Sequence, residues 1–161
     1  MEDNALLDKI DYKIIDALIR DGRISMIALG KEVGLSKTPV TARVKRLEKI
    51  GVITGYRAEL SSMKLGMDHV AFVEVKLSDT RESALKEFNQ AIRTVKEVVS
   101  CNMIAGGFDY LIKVRTSDIM AYRAVLGERI SSMPHVASTS TYVSMESVID
   151  HRSVFENDHE T

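Results

Sequence analysis

A single cysteine, no tryptophan, two prolines and only nine aromatic rings in 161 residues describe a chain sparing in the residues that staple, kink or stack. With Cys101 alone no internal disulfide can form, and no Cys/His spacing suggests zinc, so neither a metal nor a cofactor is expected. Cys101 lies in an apolar run and reads as a small core residue rather than a nucleophile. No apolar run approaches the roughly 20 residues that cross a bilayer. The start, Met1–Asn4, is acidic where a signal peptide is basic. No membrane partner is expected, and the cytoplasm is the expected compartment. A large charge of one sign is also missing, because the chain nets −1. What is present, 45% apolar and 28% charged residues, is a globular composition able to bury a core in one or two domains.

The small net charge hides an uneven distribution. Residues 1–60 net +2 and residues 61–161 net −3. Within the first part, residues 36–50 hold Lys37, Arg43, Lys45, Arg46 and Lys49 against Glu48, a local +4. Cations concentrated to this degree are a footprint of phosphate binding. They sit in ISMIALGKEVGLSKTPVTARVKRLEKIGVI, residues 24–53, which reads as a helix-turn-helix. Ser25 caps a short helix whose inward residues are Ile27 (or Ala28), Leu29 and Val33. Gly34 takes the left-handed turn, Leu35 closes it over the core, and Ser36 caps the next helix with Pro39 in its first turn. Val40, Val44 and Leu47 make one buried stripe, and Gly51 ends the helix. The opposite face presents Thr38, Ala42, Lys45, Arg46 and Lys49, with Thr41 at its edge, and such a face suits a major groove. Asp8 caps an earlier helix with Ile10, Ile14, Ala17 and Leu18 inward, ended by Asp21-Gly22. Val52–Leu60 then leads away as an extended segment, and SSMKLGMD, residues 61–68, forms the boundary.

After Asp68 the period changes. HVAFVEVKL (69–77) reads as a strand, Arg81–Arg93 as a helix, and Val95–Ile104 as a strand. Gly106-Gly107-Phe108-Asp109 reads as a turn, and 110–115 as an alternating strand. Ser117 caps a helix with Ile119, Tyr122, Leu126, Ile130 and Met133 inward, Pro134 ends it, and Val136–Met145 closes as a strand. The order β-α-β-β-α-β predicts an α+β protein with a ferredoxin-like second domain. Its helices cover one sheet face; the other, read as alternately apolar, favours burial against a second copy.

The opening IDYKIIDALIRDGRIS, the helix-turn-helix GLSKTPVTARVKRLEKIGVI and the turn AGGFDYLIKV resemble the Lrp/AsnC (feast/famine) transcription regulators, from Asp8 to about Ser147. The resemblance implies a winged-helix-like reader of double-stranded DNA (1–53), a β-linker (54–67) and an ACT-like sensing and oligomerisation domain (68–148), with a polar tail (149–161) expected to be disordered at its end. It implies homodimers assembled into higher rings, octamers among them, and a small amino-acid effector held between sensing domains near Gly106, Gly107, Phe108, Asp109 and Tyr110. Members commonly carry an acidic residue where this chain has Gly107. The SKTP and GGFDY variants look most like the branch that activates proline dehydrogenase genes, which points to proline.

Within that frame Arg43, Lys45, Arg46 and Lys49 are candidates for phosphate, while Ser36, Lys37, Thr38 and Thr41 are placed for base edges. Arg43 flanks the buried stripe and could equally pack against the first helix. Main-chain N–H groups at Gly106 and Gly107 could take a carboxylate, because glycine permits close approach and positive φ. Asp109 could take the ammonium, and Thr139 and Thr141 could supply hydroxyls from an adjacent subunit. Other readings stay open: a plain hairpin connection at the glycine turn, a module acting on a protein partner, and an architectural DNA binder without effector. An enzyme using Asp109, Tyr110 and His69 or His135 is a further one, though nothing in the spacing fixes such a geometry and no catalytic residue is expected.

Overall fold

The computed structural model describes residues 7–148. Met1–Asn4 and the tail 149–161 lie outside the described residues. The chain divides into two compact units, one reaching to Glu59 and the other spanning Leu60–Val148.

The first unit is three helices: α1 (Lys9–Arg20), α2 (Met26–Val33) and α3 (Lys37–Lys49). Asp8 caps α1 in a reciprocal box, its carboxylate accepting from the Ile10 and Asp11 N–H groups while the Asp11 carboxylate accepts from the Asp8 N–H. Ser25 caps α2 through the Ala28 N–H at 3.2 Å. Gly34, at φ 77°, turns the chain so that the Leu35 N–H reaches the Gly30 carbonyl at 2.7 Å. The same closure follows α3, where Gly51 (φ 76°) lets the Val52 N–H reach the Leu47 carbonyl at 3.0 Å. Ile14, Ile15, Ala17, Leu29, Val33, Val40, Val44 and Leu47 form the core. The inward place proposed for Ile27 or Ala28 is not used, since both are exposed and α2 buries Leu29, Gly30 and Val33 instead. Residues 54–60 carry no ladder hydrogen bonds, and turns follow at 62–66.

The second unit is β1 (His69–Leu77), α4 (Glu82–Ile92), β2 (Val98–Met103), β3 (Tyr110–Thr116), α5 (Ile119–Ala124) continuing as a π-helical segment (Val125–Ile130), and β4 (Val136–Val143). The strands form one antiparallel sheet in the order β2-β3-β1-β4, the ferredoxin-like arrangement. Ala71, Val73 and Val75 of β1 and Tyr110, Ile112 and Val114 of β3 face Phe88, Ile92, Tyr122, Val125 and Ile130 of the helices. Two expectations are corrected. Asp118, not Ser117, caps α5, its carboxylate accepting from the Ala121 N–H at 2.8 Å. The inward stripe also shifts: Ile119 is 47% exposed at the helix start, and Val125 and Ile130 are buried five residues apart. That spacing matches the wider turn, in which the Ser131 N–H meets the Leu126 carbonyl. The outer sheet face is less apolar than the alternation suggested: Phe72, Leu111 and Tyr142 stand among Glu74, Lys113 and Arg115.

Candidate DNA interface and effector turn

Helix α3 is held by its apolar stripe, with Val40, Val44 and Leu47 buried and the remaining turns outside. Ser36 occupies the N-cap, yet its hydroxyl makes no cap hydrogen bond. Lys37, Thr38, Ala42, Lys45 and Lys49 are exposed. Lys37, Thr38, Thr41, Ala42 and Lys45 line one shallow hollow, which gathers three of the four residues expected at base edges, Ser36 excepted, with one of the phosphate cations. Among the described residues no ion pair engages Lys37, Lys45 or Lys49. Thr41 is more constrained than expected. Its hydroxyl donates to the Lys37 carbonyl at 2.7 Å, leaving an acceptor lone pair and a methyl group for a partner.

Arg43 and Arg46 both turn from the open face toward α1. Arg43 donates to Asp8 Oδ2 at 2.7 Å and to Asp11 Oδ1 at 2.9 Å, and Arg46 pairs with Asp11 Oδ2. Of the two readings left open for Arg43, packing against α1 is the one observed. Arg46, expected on the open face, joins it. Asp11 is fully buried, while the arginine side chains keep 30% and 37% of their exposure. Burial would raise the Asp11 pKa, but the Asp8 N–H and the two guanidinium groups outweigh it and hold the carboxyl below its ordinary value. Asp8 is lowered too, first by the Asp11 N–H and then by Arg43, and the two carboxylates raise Arg43 in return. Asp11 escaped notice in the sequence. The signal was there: it falls three and seven residues before Ile14 and Leu18 on the inward face, and three after its capping partner.

At the effector turn, neither Gly106 nor Gly107 has positive φ. A Cβ at Gly106 would meet only Ile104 at 3.6 Å, and at Gly107 nothing within 4 Å. The backbone freedom expected of these glycines is therefore not used within the protomer. Asp109 is committed to the fold: its N–H meets the Val75 carbonyl, its carbonyl accepts from Ile104, and its Oδ2 accepts from the Leu77 N–H at 2.7 Å. The carboxylate extends the β1–β3 ladder past its last residue pair instead of standing open for an ammonium. Phe108 is half-buried and Tyr110 buried, its ring 4.5 Å from that of Phe88. Burial raises the Tyr110 phenol. Thr139 pairs with Val75 on the far side of β1, and Thr141 pairs with Val73. One strand thus separates them from Tyr110, a span of about 10 Å. Thr141 already meets the Tyr122 hydroxyl at 2.6 Å. Within one protomer the turn and these threonines do not converge.

The residues of the enzyme reading do not assemble. His69 Nδ1 meets the Thr116 hydroxyl at the start of β1, about 25 Å along the strand from Leu77 and Asp109. His135 is paired with Glu87. No group of metal-binding side chains occurs among the described residues, and none of their helices is long and apolar enough to cross a membrane.

Comparison with known proteins agrees with this geometry. Residues 7–54 match the winged helix-turn-helix DNA-binding family, and residues 70–154 the Lrp/AsnC ligand binding domain. The chain is 63% identical over 142 residues to a proline dehydrogenase transcriptional activator of Rhizobium radiobacter, covering 88% of this chain and 91% of that one. It is 53% identical over 148 residues to a protein of the same description from Rhodobacter capsulatus, covering 92% and 96%. Among solved structures, an AsnC family transcriptional regulator of Agrobacterium tumefaciens superposes with a TM-score of 0.87 at 30% identity, covering 92% and 96%. A transcriptional regulator of Neisseria meningitidis, in complex with L-Met, gives 0.85 at 28%, covering 90% and 94%. With a DNA-reading and a ligand-binding domain in sequence, and relatives more than half identical over nearly its whole length, the chain belongs to the Lrp/AsnC family of transcriptional regulators and is not an enzyme.

Proposed function

We propose that this regulator reads duplex DNA with the outer face of α3, controls genes of proline breakdown, and responds to proline bound between sensing domains. The observation that carries the DNA reading is the hollow lined by Lys37, Thr38, Thr41, Ala42 and Lys45, open on a helix whose other side is fully packed. Lys37 and the Thr38, Thr41 and Ser36 side chains serve base edges near the helix start, and Lys45 and Lys49 serve phosphate. The proline reading rests on the high identity to proteins described as proline dehydrogenase activators. The Gly106–Tyr110 turn is the proposed cradle. Gly107 is exposed with open space beside it, so a carboxylate can approach its main chain. Because Thr139 and Thr141 lie away from that turn in one protomer, the effector site takes them from a second copy. The resemblance to the family supports homodimers joining into higher rings, octamers among them. Residues 1–53, 54–67 and 68–148 serve as reader, linker and sensor. Action on duplex DNA supports the cytoplasm as its compartment.

Lys45→Ala tests the reader. It weakens binding to all duplexes alike and flattens the dependence of log K on log salt by about 0.9; an unchanged slope measured by fluorescence anisotropy removes Lys45 from the interface. Thermal unfolding in the presence of each of the twenty amino acids tests the sensor. Proline at a hundredfold its dissociation constant adds about 2.7 kcal/mol to the folded state. A second reading, a DNA-organising protein without effector, is favoured by the commitment of Asp109 to Leu77. Stabilisation by no amino acid would select it.

A further inference from the structure

The described residues hold two arginines in the helix-turn-helix that its base-reading and phosphate-binding face does not use. Arg43 and Arg46 project from α3 at a three-residue spacing, and both end on Asp11 of α1. A second hollow, lined by Asp8, Asp11, Pro39, Ala42, Arg43 and Arg46, contains this cluster. Ala42 lines this hollow and the open one beside Lys45 alike, so the arginines stand at the margin of the proposed DNA face. Their side chains are long and partly exposed, and a guanidinium released from Asp11 can reach solvent without breaking the core. Asp8, with 51% of its side chain exposed, adds a negative charge at the same margin.

We infer that Asp11, a positioning residue, sets how selectively α3 reads DNA by withholding Arg43 and Arg46 from the phosphate backbone. This rests on the reading of α3 as the DNA interface. Phosphate contacts raise affinity for every sequence equally, so two cations subtracted from the interface lower non-specific binding and leave base contacts untouched. The capping box makes the arrangement stable, because the same Asp11 carboxylate also accepts the Asp8 N–H. Arg43 and Arg46 are thereby held at fixed points on α1, and α3 is oriented by the pair as well as by its apolar stripe.

Asp11→Asn keeps the shape and an acceptor for the Asp8 N–H while removing the charge that holds Arg46 and one of the two that hold Arg43. The full-length variant is titrated with a labelled duplex of mixed sequence over a series of salt concentrations, beside the unaltered protein. Non-specific binding of the variant is expected to be several-fold tighter, with a salt slope steeper by about 0.9, the one further phosphate that Arg46 gains while Asp8 still holds Arg43. A purely structural role for Asp11 would weaken binding without steepening the slope, and either a weakened or an unchanged slope overturns the inference. A second pair of proteins decides the matter if Asp11→Asn fails to fold. Arg43→Gln with Arg46→Gln is expected to leave the salt slope where the unaltered protein has it, and a slope shallower by about 1.8 shows that the arginines already hold phosphate. Failure of the unaltered protein to bind any duplex would instead strike the DNA reading itself, which separates the two.

Discussion

A methyl group added to Gly30 would stand 2.6 Å from the Leu35 carbonyl oxygen, closer than any real Cβ sits to backbone. The close approach exists because the Leu35 N–H must reach the Gly30 carbonyl for Gly34 to turn the chain into α3. Gly30→Ala is therefore expected to destabilise the first unit by about 1–3 kcal/mol through forced displacement of the turn. Urea unfolding followed by far-ultraviolet circular dichroism measures it, and an unchanged midpoint would show that the turn yields freely. The carboxylates of the capping box carry a second expectation. Asp8 and Asp11 have folded pKa values lowered from 3.8, so the unfolded chain binds their protons first as pH falls. Their contribution is complete above about pH 5 and is lost as acid takes the pH through 3.8 and then the folded values. Stability of the first unit, followed by melting temperature, should hold from neutral pH to about pH 5 and fall below it. In the sequence Asp8 could be recognised as a cap from the helix it precedes. The partners of Asp11 could not be, because they lie 32 and 35 residues away and no local period reports them.

Helix starts in this chain are not equally anchored, and side-chain cap bonds divide them. Ser25 and Asp118 accept from the N–H three residues on, whereas Ser36 does so for none. Replacing Ser25 by alanine is expected to cost about 1 kcal/mol, and replacing Ser36 only a few tenths, by chemical unfolding of each variant. Equal losses would mean that Ser36 is engaged in solution. A helix start whose hydroxyl is not spent on its own backbone leaves that hydroxyl open to a partner. Among the described residues periodicity located all five helical stretches and the four strands, and β1 begins and ends where alternation and β-branched composition placed it. It could not register the wide turn at Val125–Ile130, because a π-helical step is a local departure from the 3.6-residue period that the inward stripe assumed.

The two units have separate cores that share no residue, Ile14 to Leu47 in one and Ala71 to Met133 in the other. Perturbations confined to one core should therefore be read there. In scanning calorimetry Gly30→Ala is expected to lower a transition belonging to the helical unit, while proline raises one belonging to the sheet unit. A single transition moved by both would show that the units unfold as one. Their chemistry is likewise divided: the exposed cations of α3 belong to the first, and the glycine turn with its committed Asp109 belongs to the second.

Amino-acid order alone determined the caps at Asp8 and Ser25, the left-handed Gly34, the helix stop at Gly51, the element order and hence both domain types. These depend on neighbours within a turn or two, where side-chain period and backbone sterics act directly. Tertiary structure decided which cations remain open. It turned Arg43 and Arg46 onto Asp11 and spent the Asp109 carboxylate on the Leu77 N–H. Each of these outcomes is a competition among several partners for one polar group, and only the packing of distant segments brings the winning partner within reach.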